Sequence, residues 1–211
     1  MTAISTINRL ALFQEIFDLG GACTIEGLSK EQFKHLSMLY PELQMERNQN
    51  GNINIMAPIK GGSGIREDIL SFRVRQWRML AKKGESFSPT TGFDLPNGST
   101  RSPDASWVNQ DKMDSLTGEQ IENEFIPVVP DFIVELRSKS DRLKKVKEKM
   151  EKSWIANGVK LAWLIDPYKE KAYIYRIDGS VETVADFNQK LSGENILAGF
   201  ELDLSEFRVL K

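Results

Sequence analysis

"PDFIVELRSKSDRLKKVKEKM", residues 130–150, places an apolar run with one acid and one base inside it directly ahead of a strongly charged helical pattern. Phe132, Ile133, Val134, Glu135 and Leu136 form a near-continuous β-prone segment of the kind buried on both faces of a sheet. Ser140 is the expected cap of a helix from Asp141 to Asn157. Its inner face is Leu143, Val146, Met150 and Trp154 (or Ile155), and Gly158 is its stop. Strand followed by helix, and then by "KLAWLID" and "AYIYRI" as further strands, predicts an α/β fold with a mixed sheet. A charge inside such a strand is the anomaly: Glu135 costs several kcal/mol unless it is paired or bound.

Upstream, "FSPTTGFDLPNGSTRSPDASWV" alternates turn residues with short β-prone runs and predicts a strand, a Pro-Asn-Gly turn and a second strand entering at Asp104. Before it, Ser63 is the expected cap of a helix to about Lys82, with Ile65, Ile69, Phe72, Gln76 and Leu80 on its inner side. On that face Asp68 lies nearer the apolar stripe and Glu67 nearer solvent. "LQMERNQNGNINIMAP" reads as a hairpin around Asn-Gly. Ser29 with Gln32 is a capping-box signature for a short helix to about Tyr40, and Ile7–Phe17 recurs at helical spacing. "DSLTGEQIENEFIPVVP" reads as a loop with at most one helical turn. Residues 1–44 are thus a small N-terminal helical extension, and 45–211 the main α/β domain.

Composition bounds the chemistry. The chain has 211 residues, 40% hydrophobic and 27% charged, with a formal net charge of −2; any nucleic-acid contact therefore rests on a local basic patch. One cysteine, Cys23, excludes an internal disulfide, and one histidine, His35, excludes multi-histidine metal sites. The N-terminus lacks the pattern of a secretory signal, and no run reaches the ~18 apolar residues of a membrane span, so a soluble cytoplasmic protein is expected. Asp104 at a strand start and Glu135 within a neighbouring strand would converge if the two strands pair. Convergent carboxylates form a hard oxygen site for Mg²⁺ or Mn²⁺, and such an ion with a nearby cation suits phosphodiester hydrolysis. The plainer readings are a turn residue for Asp104, an ion pair with Arg137 or a helix lysine for Glu135, and a solvated face for the lysine-rich helix.

Pro103-Asp104, thirty residues, then Glu135-Leu136-Arg137 resembles the PD-(D/E)XK signature of the restriction-endonuclease-like superfamily. "GFDLPNGSTRSPDASWV", "PDFIVELRSKSDRLKKVKEKM", "NGVKLAWLIDP" and "ILAGFELDL" together resemble the Uma-type endonuclease family, over roughly residue 45 to the end. The resemblance implies a restriction-endonuclease-like core, a mixed central sheet flanked by helices. It also implies a metal-dependent endonuclease acting on DNA, with Asp104 and Glu135 as ligands of Mg²⁺ (or Mn²⁺) and Glu67 as a further ligand from the first helix of the core. Asp131 precedes Glu135 on the same strand and is the decoy. The signature's lysine is replaced by Arg137, which cannot readily give up a proton. The lysine matched on the following helix is Lys149, with Lys145 and Lys152 as rivals. A homodimer is expected by analogy with nucleases of this fold that cut both strands. The alternative is a nuclease-fold binding or interaction module with little or no catalysis.

Overall fold

The computed structural model describes residues 22–209, in two compact units divided between Pro58 and Ile59. The helix expected over Ile7–Phe17 lies outside the described residues. In the first unit β1 (Ala22–Ile25), β2 (Gln44–Arg47) and β3 (Ile53–Met56) form antiparallel pairs with β3 in the centre. The hairpin register runs from Gln44 opposite Met56 to Arg47 opposite Ile53, and Gly51 takes the positive φ that the turn requires. Between β1 and β2 lies α1 (Lys30–Leu39), closed at its start by the reciprocal Ser29–Gln32 capping box. His35 on this helix is exposed.

The second unit holds the core. Helix α2 (Gly61–Ala81) leads into β4 (Glu85–Phe87), the small hairpin β5 (Phe93–Asp94) and β6 (Thr100–Arg101), and then β7 (Ala105–Val108). Two short helices follow, α3 (Gln110–Asp114) and α4 (Gly118–Asn123), before β8 (Phe132–Leu136). The charged helix is α5 (Leu143–Lys149), prolonged by a π turn over Met150–Trp154 and a 3₁₀ turn over Ile155–Asn157. Next come β9 (Leu161–Asp166), β10 (Lys171–Arg176), β11 (Val181–Val184), β12 (Lys190–Ser192) and β13 (Glu201–Asp203). Six strands make the main sheet in the order β11-β10-β9-β8-β7-β4, in which β8–β9 is the parallel pair and the other neighbours are antiparallel. The parallel step is the one bridged by the α5 run, because parallel neighbours need a long crossover.

Alternation along β8 and β9 divides the core. Phe132, Val134, Trp163 and Ile165 face a cluster built with Leu70 and Val74 of α2 and with Phe187, Leu197, Phe200 and Phe207 of the C-terminal segment. Ile133, Ala162 and Leu164 face the other side, where Met150 and Trp154 close over them. Helices therefore flank a mixed sheet on both faces. Trp163 stacks on Phe200 and meets Phe132 edge-on inside this core.

Several expectations change. The buried stripe of α2 is Arg66, Leu70 and Val74, whereas Ile65, Phe72 and Leu80 are exposed. Apolar spacing alone selected the wrong face by one position, because the truly buried stripe begins with an arginine that a hydrophobic count discards. The same rotation exchanges the acids, leaving Glu67 half-buried and Asp68 exposed. The loop expected after β7 contains α3 and α4, and the latter is started by a Thr117–Gln120 capping box. Arg142, not Ser140, precedes α5, and its side chain makes no cap. Strand β1 is too short to have been read, and β11 and β12 are both short and polar in pattern. Helix α2 ends at Lys82, which takes the left-handed conformation at φ 52; Gly84, just beyond, has φ +64, and a Cβ there would strike the Val108 carbonyl.

The rotated face makes a simple test. Leu70→Ala should cost about 2–5 kcal/mol of unfolding free energy. Phe72→Ala should stay within about 0.5 kcal/mol of wild type. Denaturant unfolding of the two variants compares them directly, and equal losses would return the buried face to the one expected from spacing.

Candidate active site

Antiparallel pairing of β7 with β8 sets Ala105 opposite Val134, Ser106 opposite Ile133 and Trp107 opposite Phe132. One further step of that register brings Asp104 opposite Glu135. Side chains at directly opposed positions share a face of the sheet, so the Pro-Asp at the entry of β7 and the buried acid of β8 converge. Asp104 Oδ2 accepts a short hydrogen bond from the Leu136 N–H, which ties the carboxylate to the neighbouring strand. Glu135 is buried, and its Oε1 accepts from the Trp154 indole N–H at 2.7 Å and pairs with the Lys149 ammonium at 2.8 Å.

The π turn explains how one oxygen reaches both partners. Residues five apart stand roughly 140° apart on an α-helix, but the wider i→i+5 turn returns them toward one side. Lys149 sits at the start of that turn and Trp154 at its end. Trp154 is fully buried, and a buried indole N–H needs an acceptor; this requirement, not periodicity, is the signal that could have placed Trp154 at the site. Lys145 and Lys152 are exposed.

Burial pushes Asp104 well above the ordinary carboxylate range, and the negative charge of Glu135 adds to the effect. The Leu136 N–H opposes it, the Glu67 charge reinforces it, and Lys149 opposes it. Glu67 on α2 is itself raised by burial. The structure therefore brings Asp104, Glu135, Glu67 and Lys149 into one electrostatic neighbourhood. Among the described residues, no three Asp, Glu, His or Cys side chains form a ready-made metal cluster.

Arg137 stands apart from that group. Its Nη1 donates to both oxygens of Asp166 at 3.0 Å, while Nε and Nη2 donate to the Asp141 carbonyl at 3.1 and 3.0 Å. Asp166 is completely buried and also accepts from the Tyr168 and Lys169 N–H groups, so this pair knots the end of β9 to the loop before α5. Asp166 was not singled out from sequence; as the last residue of an apolar strand it reads as a turn residue. Asp131, at the opposite end of β8 from Glu135, is buried in a separate ion cluster with Lys160 at 2.9 Å and Lys112 at 3.1 Å. Burial would raise it, but the Asn109 N–H and those two ammonium groups more than offset this and hold it low.

The family model for Uma2, "Putative restriction endonuclease", matches residues 30–205. The chain belongs to the Uma2 family. A crystal structure of a putative nuclease belonging to DUF820 from Anabaena variabilis superposes with a TM-score of 0.71, covering 86% of this chain and 97% of that one at 18% identity. That likeness establishes the restriction-endonuclease-like fold. No curated protein matches the chain. No described helix of this Uma2 chain is long and apolar enough to cross a membrane.

The raised Asp104 carries a consequence for stability. Its folded-state proton affinity exceeds that of the unfolded chain, where the ordinary value is 3.8. Its contribution is thus most favourable below that pH and is lost as pH rises through the folded value. Asp104→Asn keeps an acceptor for the Leu136 N–H and removes the charge. In metal-free buffer at neutral pH it should therefore melt above wild type, at about 2–4 °C for each kcal/mol relieved. The gap should close toward pH 4. A variant that melts below wild type at neutral pH would show that the Asp104 charge is compensated in the metal-free protein.

Proposed function

We propose that this Uma2 chain is a metal-dependent endonuclease that hydrolyses phosphodiester bonds in DNA at the Asp104–Glu135 pair. The observation that carries the reading is the register: two carboxylates from adjacent strands face one spot, with the Lys149 ammonium on one of them. Their mutual repulsion, expressed in the raised Asp104, is what a divalent cation would relieve. The donor set is all oxygen, with no histidine or cysteine, and fits Mg²⁺ or Mn²⁺. Asp104 and Glu135 would hold the ion, and Glu67 would add its charge from α2. When bound, such an ion supplies an activated water and offsets charge on phosphoryl oxygens.

The chain's own residues supply the rest. Trp154 fixes the orientation of Glu135 from below, so that the carboxylate keeps one rotamer whatever its ligand. Lys149 pairs with Glu135 and presents a positive charge beside the place where phosphoryl charge grows in the transition state. Arg137 occupies the sequence position of the signature lysine, yet its donors are committed to Asp166 and Asp141. The assisting role therefore goes to Lys149, which approaches the same carboxylate from the helix. Arg137 acts as the anchor of the strand ends.

Purified protein should cleave single- or double-stranded DNA with Mg²⁺ or Mn²⁺ and not with chelator. Asp104→Ala and Glu135→Ala should each abolish cleavage, and Lys149→Met should lower kcat by about 10²–10³-fold, the usual loss of one preorganised electrostatic partner. Arg137→Met, by contrast, leaves the buried Asp166 charge unpaired and should cost about 3–5 kcal/mol of stability. Absence of metal-dependent cleavage, or cleavage indifferent to Asp104 and Glu135, would transfer the chain to the second class, a nuclease-fold module that binds without cutting.

A further inference from the structure

Helix α2 opens on Gly61-Gly62-Ser63-Gly64, and its N-cap, Lys60, makes no side-chain cap. The N–H groups of Ser63 and Gly64 turn back to the Lys60 carbonyl. Those of Gly61 and Gly62 have no acceptor among the described residues. A helix start without a cap presents donors and the positive end of the helix dipole. Around Gly61 nothing lies within 4 Å of where a Cβ would stand, so the approach to the backbone is open.

Beneath this turn lies a second feature. Arg66 is only 5% exposed, and its Nη2 and Nη1 come 3.6 and 3.8 Å from the position of a Gly62 Cβ. No carboxylate stands within ion-pair distance of this guanidinium among the described residues. Its one hydrogen bond is a long one, 3.4 Å from Nη2 to the Tyr168 hydroxyl. The Tyr168 ring has Arg66 at 5.8 Å and Arg137 at 5.9 Å from its centroid. The Arg137 charge is cancelled by Asp166; the Arg66 charge is cancelled by nothing described. A buried cation without a counter-ion, placed against two free backbone N–H groups, is the electrostatic complement of a bound anion. The same elements serve the acid pair: Arg66 precedes Glu67, whose charge reaches Asp104, and Arg137, the other cation at the Tyr168 ring, follows Leu136, whose N–H holds Asp104.

We propose that the first turn of α2, with Arg66 and the Tyr168 hydroxyl, binds a phosphate of the DNA backbone next to the phosphodiester that is cleaved. The choice of a backbone phosphate, over a free one, rests on the nuclease reading above. The glycines let the phosphate approach the helix start closely, and Arg66 supplies the charge. The site fixes the strand relative to Asp104 and Glu135 without reading sequence.

The test is binding of the full chain to a duplex oligonucleotide without terminal phosphates, in chelator, by fluorescence anisotropy over a range of KCl. Arg66→Met should weaken binding and lower the slope of log K against log [salt] by about 0.9, the share of one phosphate contact. Gly61→Pro is the control for folding. Proline is well tolerated at the first helical position, and Lys60 already has the extended backbone, φ −80° and ψ 155°, that a following proline favours. This variant should keep or raise Tm, yet weaken binding about tenfold through loss of one N–H donor to a charged group. Wild-type affinity in Gly61→Pro, with a lowered Tm as the sole effect of Arg66→Met, would make Arg66 a structural residue and overturn the proposal. Titration with orthophosphate separates the sources: binding that Gly61→Pro abolishes, with duplex affinity unchanged, would assign the pocket to free phosphate and overturn the backbone version. Loss of duplex binding in both variants of a protein that never cuts would sustain this site and overturn only the catalytic reading.

Discussion

The registration of β7 against β8 is the constraint on which the rest of the second unit turns. Once Ala105 is opposite Val134, Asp104 has to face Glu135, and two acids must be accommodated at one edge of an otherwise apolar sheet. A slip of one residue would send Glu135 into the cluster of Phe132, Val134 and Trp163, where no partner for it exists. Alternating burial along β8 and β9 therefore secures the register, and the register in turn creates the acid pair. The π turn is the local adjustment that lets a helix of ordinary direction deliver both an indole N–H and an ammonium to Glu135. Each part of the site is held by a packing decision made elsewhere.

Two kinds of cation share the work at the strand ends, and their chemistry explains the division. Arg137 presents a rigid planar set of donors, whose Nη1 reaches both oxygens of Asp166 while Nε and Nη2 together hold the Asp141 carbonyl. Such a group is excellent at joining β9 to the loop before α5 and poor at moving relative to a substrate. Lys149 is a compact charge on a flexible stem, and it arrives from a helix that is free to place it. Under the proposed function, an arginine in the signature position and a lysine at the end of α5 divide anchoring from assistance between two residues. The departure from the signature is then a redistribution of roles, with the positive charge at Glu135 retained.

What was legible in the sequence follows the strength of the physical signal. The apolar strands around Glu135 and Trp163, the Asn-Gly hairpin and the Ser29 capping box each carry a local pattern that tertiary context rarely overrides, and all of them stand where the pattern puts them. Asp104 and Glu135 were visible because charge in or beside a buried strand demands an explanation. Arg66 was invisible for the opposite reason. Helical periodicity was scored on apolar residues, so a buried arginine rotated the inferred face of α2 and carried Glu67 to the wrong side with it. The ion pair of Asp166 and the hydrogen bond from Trp154 to Glu135 went unread because they depend on which partner a fold sets beside each residue, and no spacing rule contains that information.

The arrangement of charge in the second unit has a direction. Asp131 lies at one end of β8 with two lysines and a backbone N–H, fully compensated and held low. Glu135 and Asp104 lie at the other, where one lysine serves both the buried Glu135 and the half-buried Asp104, and Asp104 is held high. The same strand is electrostatically settled at its start and under-compensated at its finish. An asymmetry of this kind lowers the stability of the metal-free chain, because repelling carboxylates oppose the folded state. A fold shaped only for stability would neutralise the second end as it does the first, with a further lysine or an apolar residue in place of Asp104. The uncompensated end is where a cation from outside the chain would gain the most from binding, so under the proposed function the tension between stability and activity falls on the Asp104–Glu135 pair.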